Sequence, residues 1–225
     1  TSDVDEDAAD ADEEETGAAE SESTVEATAD GLLFTRVNQR AITVRDVPAS
    51  AWFASYVDTL MRDGVVSGYK DPGGFPLGLY GPGDPVTYAE IAKMALGIAG
   101  ITVNTDLVSI NSSAFGQWSS SYIATMEQLG VSLFADGALD VNTPAPRGAV
   151  LQILYEVFGQ TPTSAVGGYY TDVTAATPYA AAIESATAEF IVSGDTGTTT
   201  FRPLDPVNRA ETAKIVSLFR ERHVR

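Results

Sequence analysis

Apolar residues recur at helical spacing in four stretches of the chain. The first stretch ends at Gly64, and its apolar positions are Trp52, Phe53, Tyr56, Val57, Leu60 and Met61. Similar stripes follow at residues 91–98, 150–158 and 215–219. Because steps of three and four residues return to the same helical face, each stretch predicts an amphipathic helix with one buried side.

Two of these helices begin with a recognisable cap. Thr87 stands three residues before Glu90, and Asn208 stands three residues before Glu211. In such a capping box the first side chain accepts from the third helical N–H, and the glutamate accepts from the N–H of the cap residue. A Gly- and Pro-rich stretch precedes the first cap, at residues 68–85, and predicts a loop. The unit is therefore a helix, a loop and a second, capped helix.

The chain contains this unit more than once. Matching segments lie 126 residues apart, or 121 after a five-residue insertion, and they are 46–47 with 172–173, 65–68 with 191–194, and 82–90 with 203–211. A weaker middle copy places Trp118 66 residues after Trp52. A helical pair of about 60 residues has too little core to be robust alone, so three pairs are expected to pack together.

The charge is concentrated at the start of the chain. The formal net charge is −18, and residues 1–31 hold 13 of the 31 acidic side chains but no lysine or arginine. This stretch lacks aromatic residues and cannot bury enough surface to offset the entropy of ordering. We predict a mainly α fold behind a disordered acidic tail, divided into a tail at 1–31 and three tandem helix-loop-helix repeats at 32–102, 103–166 and 167–225.

The residue inventory narrows the classes of function. The chain has no cysteine and a single histidine, His223, so nucleophile–histidine pairs and histidine-based metal sites are not expected. A carboxylate pair of the glycosidase kind stays open on counting alone, although no acidic pair stands apart from turns and caps. The basic residues form no stripe for nucleic acid, and no apolar run reaches the roughly 18–20 residues of a membrane helix. We expect no enzyme, no cofactor, no metal and no membrane insertion.

In their order along the chain, these motifs resemble the S-layer homology family. The resemblance rests on an Asp-Val start, a Trp-led helix, a Gly-bounded turn, a Phe-x-Pro or Phe-Pro step and an Ala-Glu helix entry. In the first copy these motifs lie at residues 46–47, 52–53, 64–71, 75–76 and 86–90. The third copy supplies residues 172–173, 191–194, 201–203 and 207–211. The resemblance spans about residues 40–222.

The resemblance implies both a fold and a function. It implies a pseudo-threefold bundle, a three-prong spindle with grooves between neighbouring repeats. Such modules anchor secreted surface proteins non-covalently to secondary cell-wall polysaccharide, often through pyruvate ketals on its sugars. The implied partner is a carboxylate-bearing polysaccharide, and the implied location is the bacterial cell wall or S-layer. One alternative is a structural S-layer or filament subunit that self-associates through its repeats, and another is the anchoring part of a longer enzyme or adhesin.

The resemblance also implies which residues contact the ligand. The arginine after the helix cap is a principal contact, and it stands at Arg209 and Arg147. The remaining groove residues are Trp52, Trp118, Gly68, Tyr69 and Gly194, with capping residues Thr87, Glu90, Asn208 and Glu211. A helix start offers free N–H groups and the positive end of the dipole, to which a guanidinium adds a forked hydrogen bond. If Arg209 were held in an internal ion pair, or its helix start were buried away from any cleft, the anchoring hypothesis would reduce to a scaffold role.

Each assignment has a structural alternative. Their large area favours core packing for the two tryptophans, capping alone accounts for the two glutamates, and the arginines suit ion pairs. The copies also depart from the family pattern at Tyr88, at Pro146 and Ala149, at Pro178-Tyr179 and at Asp195. We therefore expect one or two working grooves rather than three.

Overall fold

The first regular element is a β-hairpin, which the sequence analysis did not predict. The computed structural model describes residues 25–163 and 168–224, and within them strand β1 (Leu32–Val37) pairs antiparallel with strand β2 (Arg40–Pro48). Asn38 and Gln39 form the two-residue connection, both at positive φ (49° and 65°), as a tight hairpin turn requires. The prediction of a mainly α chain is therefore wrong, because the fold mixes helices with this sheet.

The hairpin contributes one face to the core. Leu33, Thr35 and Val37 are buried on β1 while Arg36 points to solvent, which is the alternation of a half-buried strand. The sequence assigns residues 25–31 to the acidic tail, whereas the structure bridges Ala27 to Leu33. The rest of the predicted tail, residues 1–24, lies outside the described residues.

The described residues contain three helical pairs. The first helix of each pair is α1 (Ala54–Arg62), α3 (Ser120–Leu129) or α5 (Ala180–Ala188). The second is α2 (Tyr88–Ile98), α4 (Arg147–Val157) or α6 (Arg209–His223), and a 3-10 turn spans Ser132–Phe134. No helix in the described ranges is both long enough and apolar enough to cross a membrane.

The pairs pack on one another in cyclic order. Helices α2, α4 and α6 contact each other at the centre, and each first helix packs on the second helix of another pair: α3 on α2, α5 on α4, and α1 on α6. The α1–α6 contact joins the two ends of the folded chain, with an ion pair between Asp63 and Arg220. Every helical pair therefore packs against both of the other pairs.

A ring of backbone hydrogen bonds lies where the three central helices begin. The N–H of Val86 donates to Val207 (3.0 Å), that of Val207 to Ala145 (3.2 Å), and that of Ala145 back to Val86 (2.8 Å). Each of these residues immediately precedes a helix cap, and all three are fully buried. The ring thus sets the relative positions of three helix starts.

Glu184 of α5 is a buried carboxylate without an arginine partner in the described part of the chain, whereas the equivalent residue of α1, Asp58, has one. Asp58 of α1 accepts from Nε of Arg62 at 2.8 and 3.0 Å. The equivalent positions in α5 are Glu184 and Ala188, so the arginine is missing. Glu184 is only 2% exposed, and its Oε1 has no hydrogen-bond partner among the described residues. Burial raises the pKa of Glu184, because a charge there is poorly solvated.

We predict that Glu184→Gln stabilises the protein at neutral pH. The raised pKa means that the folded state holds the proton to higher pH than the unfolded state, so stability is lost as pH rises through it. The variant should lack this decline, which urea unfolding at a series of pH values measures. As the matched control, Asp58→Asn breaks a pair and should cost about 1 kcal/mol. Equal or lower stability of Glu184→Gln throughout the pH series would contradict the prediction.

Candidate functional site

Two grooves lie between neighbouring repeats and are lined by equivalent positions. Groove A, of about 600 Å³, is formed by the loop at residues 65–74, the first turns of α2, Trp118 and Arg209. Groove B, of about 360 Å³, is formed by the loop at residues 191–196, the first turns of α6, Trp52 and Arg147. In each groove the loop and helix come from one repeat, the tryptophan from a second and the arginine from the third.

The structure brings the predicted ligand-binding residues together in these two places. Groove A contains Gly68, Tyr69, Trp118 and Arg209, and groove B contains Gly194, Trp52 and Arg147. Glu90 lines the first groove and Glu211 the second. The members of each set come from three separate parts of the chain, which the cyclic packing brings together.

Both tryptophans are exposed rather than buried. Trp52 is 58% exposed and Trp118 is 57% exposed, and each lies just before the first helix of its repeat rather than on its apolar face. The preference for core packing, drawn from their large area, is therefore wrong. Each indole presents an open aromatic surface beside a groove.

Arg209 is held by internal partners. Its Nε donates to the carbonyl of Tyr80 at 2.8 Å, and its Nη1 pairs with Glu90. The guanidinium also lies over the rings of Tyr69 and Tyr80, with centroids at 5.2 and 4.9 Å, and the residue is 8% exposed. The expectation of a guanidinium with its hydrogen bonds free for a ligand is therefore not met here.

Arg147 repeats this arrangement in groove B. Its Nε donates to the carbonyl of Phe201 at 3.1 Å, its Nη1 pairs with Glu211 at 3.0 Å, and it lies over the Phe201 ring at 4.7 Å. The residue is 6% exposed. Both arginines thus tie one repeat to the loop and helix of another, and their edges form one wall of each groove.

Each partner glutamate has two roles. Oε2 of Glu90 accepts from the N–H of Thr87 at 2.9 Å, while Oε1 pairs with Arg209. Oε2 of Glu211 accepts from the N–H of Asn208 at 3.2 Å, while Oε1 pairs with Arg147. One carboxylate therefore completes a capping box and holds the arginine of a neighbouring repeat. Sequence reasoning assigned only the capping role.

The N–H groups at the helix starts are engaged by other repeats. The N–H groups of Arg209 and Ala210 donate to the carbonyls of Asp84 and Pro82 at 2.9 and 3.0 Å. Those of Tyr88 and Ala89 donate to Thr143 and Val141 at 3.2 and 2.9 Å. The next N–H of each helix is bound by its cap side chain. The predicted anion site made of free helix N–H groups is therefore wrong, because those groups join the repeats.

The lysines are groove residues that none of the predicted motifs had indicated. All three lysines of the chain line the grooves, with Lys70 and Lys93 in groove A and Lys214 in groove B. None has an ion-pair partner among the described residues. Lys93 and Lys214 occupy equivalent positions, three residues after the capping glutamates, and this repeated Glu-x-x-Lys spacing was the available signal.

Lys93 is in an electropositive setting. Burial lowers its pKa below the usual 10.5, and the positive charges of Lys70 and Arg209 lower it further, against a smaller opposing effect of Glu90. A group whose ammonium form is disfavoured in this way would be relieved by an incoming negative charge. Tyr69 of the same groove stays neutral, since burial and the hydrogen bond to Asp84 raise its pKa to about 12.

The third interface between repeats has different chemistry. Tyr88 replaces the arginine there, and it is buried beside Tyr179, whose ring lies 2.9 Å from where a side chain on Gly148 would begin. Ala149 and Gln152 replace the glutamate and the lysine. Four of the departures from the family pattern, at residues 88, 149, 178 and 179, therefore belong to one interface.

Two segments of the chain match the S-layer homology domain. The matched residues are 45–92 and 169–213, so the comparison detects two of the three repeats that the sequence predicts and leaves the middle one unmatched. The loop of groove A lies in the first matched segment together with the first residues of α2, and the loop of groove B lies in the second.

The chain is also similar to two S-layer proteins. The S-layer protein sap of Bacillus anthracis is 28% identical over 116 residues, and an S-layer protein of Bacillus thuringiensis subsp. finitimus is 27% identical over 113 residues. The alignments cover 52% and 50% of this chain but 14% and 13% of those proteins, so the chain spans a small part of their length. Both relatives are S-layer proteins, and each is matched over about half of this chain.

We predict that the ion pair between Arg209 and Glu90 is energetically coupled. Arg209→Ala leaves a half-buried carboxylate without its partner and should lower the free energy of unfolding by about 2 kcal/mol. Glu90→Gln keeps an acceptor for the helix cap, removes only the charge and should cost about half as much. The double variant should lose less than the sum in a urea-unfolding cycle. Strict additivity would show that the pair contributes nothing.

Proposed function

We propose that the chain anchors a surface protein non-covalently to the bacterial cell wall by binding a carboxylate-bearing polysaccharide in grooves A and B. Residues 103–166 act in this proposal as a degenerate middle repeat that completes both grooves. Pyruvate ketals are the class of carboxylate implied by the resemblance to the S-layer homology family. The role is one of binding, without catalysis.

The placement of the lysines carries the proposal. A chain with a formal net charge of −18 has only three lysines, and all three line two equivalent grooves. The ammonium groups of Lys93 and Lys214 have no ion-pair partner among the described residues, so their charge is available to a ligand. Oxygen atoms of a carboxylate-bearing polymer would supply the missing partners, and a carboxylate beside Lys93 would relieve the unfavourable charging of that lysine.

The exposed indoles support a saccharide as the ligand. Trp118 lines groove A and Trp52 lines groove B, each more than half exposed. An aromatic face beside a cation offers a sugar ring an apolar surface for stacking while its acidic substituent meets the charge. Nζ of Lys214 lies 6.0 Å from the centre of the Trp52 ring, within reach of one sugar unit.

The two arginines contribute as fixed walls. Their internal hydrogen bonds hold the guanidinium groups in place at the grooves, and their positive charge adds to that of the lysines. Because the same bonds hold the repeats together, substituting either arginine tests stability and binding at once. The lysines separate the two effects, since they carry no such bonds.

The alternative is a lattice subunit that self-assembles through its repeats. Three strongly exposed apolar residues on the middle repeat, Val108, Ile110 and Phe115, favour it. Sedimentation separates the two functions, because an anchor remains monomeric at micromolar concentration while a lattice subunit associates in a concentration-dependent way.

We predict that Lys93→Gln combined with Lys214→Gln weakens binding to purified cell-wall sacculi about tenfold or more, since two charge-assisted contacts are lost. A co-sedimentation isotherm measures the affinity. The matched control is Arg36→Gln combined with Arg222→Gln, which removes the same charge from exposed sites outside the grooves and should bind as the parent does. An equal loss in both double variants would point to non-specific charge, and no loss in either would contradict the proposal.

Binding should also depend on pH through Lys93. Its lowered pKa means that the ammonium is lost on going from neutral to alkaline pH earlier than for an ordinary lysine, so affinity should fall as pH rises through that pKa. Lys93→Arg stays charged and should show a flatter profile, while Lys93→Gln should be weaker and flat with respect to this group. Isotherms at a series of pH values check this, and identical profiles for the parent and Lys93→Arg would contradict it.

A further inference from the structure

Grooves A and B differ at one equivalent position. Tyr69 follows Gly68 in groove A, whereas Asp195 follows Gly194 in groove B. The carboxylate of Asp195 is half-buried and lines the groove. Where groove A presents a neutral aromatic ring, groove B presents a fixed carboxylate.

A second substitution holds Asp195 in place. Nε and Nη2 of Arg202 donate to its two oxygens at 2.6 and 2.8 Å, and the arginine lowers the pKa of Asp195, so the carboxylate stays charged. Arg202 has a positive φ of 58°, a conformation that costs a non-glycine residue energy and needs support from its surroundings. The equivalent residue in the first repeat is Gly81, which also adopts a positive φ (71°) but has no charged side chain. Its N–H donates to Asp46 as that of Arg202 donates to Asp172.

The lining charges of the two grooves differ accordingly. Groove A has three cations, Lys70, Lys93 and Arg209, against the carboxylates of Glu90 and Asp71. The lining of groove B has two cations, Lys214 and Arg147, against the carboxylates of Glu211 and Asp195. Arg202 lies outside that lining and pairs with Asp195 and Asp205. Groove A therefore has an excess of positive charge and two aromatic faces, while groove B is balanced, smaller and has one.

We propose that the two grooves select different units of the same polymer, with Asp195 as the specificity-determining residue. Groove A takes the carboxylate-bearing sugar. Groove B takes an uncharged sugar, whose hydroxyl groups donate to the lone pairs of Asp195 that Arg202 leaves free. A ligand carboxylate in groove B would face the Asp195 carboxylate and be repelled. The inference rests on the proposed saccharide binding and specifies how the two grooves divide it.

The protein contains a reporter for each groove. It has two tryptophans, Trp118 in groove A and Trp52 in groove B, so their indole N–H signals in a nitrogen-15 NMR spectrum read the grooves separately. The full chain is titrated with a hexose methyl glycoside carrying a pyruvate ketal, and in parallel with the same glycoside without the ketal. Binding of the chain to sacculi is measured independently.

The ketal glycoside should shift the Trp118 signal at a concentration about tenfold lower than the Trp52 signal, and the ketal-free glycoside should remove or reverse that preference. Asp195→Asn should bring the Trp52 response to the ketal glycoside close to that of Trp118. As the matched control, Asp205→Asn changes another carboxylate near Arg202 that does not line the groove, and it should leave both responses unchanged.

The outcomes separate this inference from the proposed function. Equal affinities at the two tryptophans, or no effect of Asp195→Asn at Trp52, would overturn the division between grooves while saccharide binding stood. If neither indole N–H signal shifted and the chain did not bind to sacculi, the proposed function itself would be overturned. Retention on sacculi without either signal moving would place the binding surface outside both grooves and overturn both.

Discussion

The arrangement depends on the ring of hydrogen bonds between Val86, Ala145 and Val207. A buried backbone N–H or carbonyl without a partner costs free energy, and residues just before a helix have no partner within the helix. Here three such residues, each from a different repeat, satisfy one another. The ring brings three helix starts together, and the N–H groups that follow are satisfied by carbonyls of a neighbouring repeat. The start of each helix is thereby closed to solvent anions but rigidly positioned.

Rigid helix starts explain why the grooves need ion pairs between repeats. With their N–H groups engaged, the capping glutamates are the polar groups left facing the next repeat. Each uses its second oxygen to hold an arginine. The arginine becomes part of the wall, and the charge available to a ligand moves one helical turn further, to Lys93 and Lys214. Each glutamate thus combines capping with repeat packing, and on the same helix the lysine without an ion-pair partner among the described residues lies three residues further along.

The sequence predicted the features that depend on neighbouring residues, and it did not predict the contacts between residues of different repeats. Helical periodicity and the Thr87 and Asn208 caps are properties of neighbouring residues, and the helices and capping hydrogen bonds lie where the pattern indicated. The hairpin was missed because its Asn38-Gln39 turn lacks the usual glycine, although the alternation in β1 was visible. The exposure of Trp52 and the pairing of Arg209 depend on which repeat follows which in space. No spacing along the chain encodes that order, so those assignments were wrong or incomplete.

The middle repeat contributes one side chain to each of the two grooves. It lacks the glutamate and lysine of a groove of its own, yet it retains Trp118 for groove A and Arg147 for groove B. The first and third repeats, in turn, have lost the arginine and the tryptophan that they would have lent to it. The substituted positions therefore lie along one border between repeats rather than within one repeat. Trp118 and Arg147, which complete the two grooves, both lie outside the segments that match the S-layer homology domain.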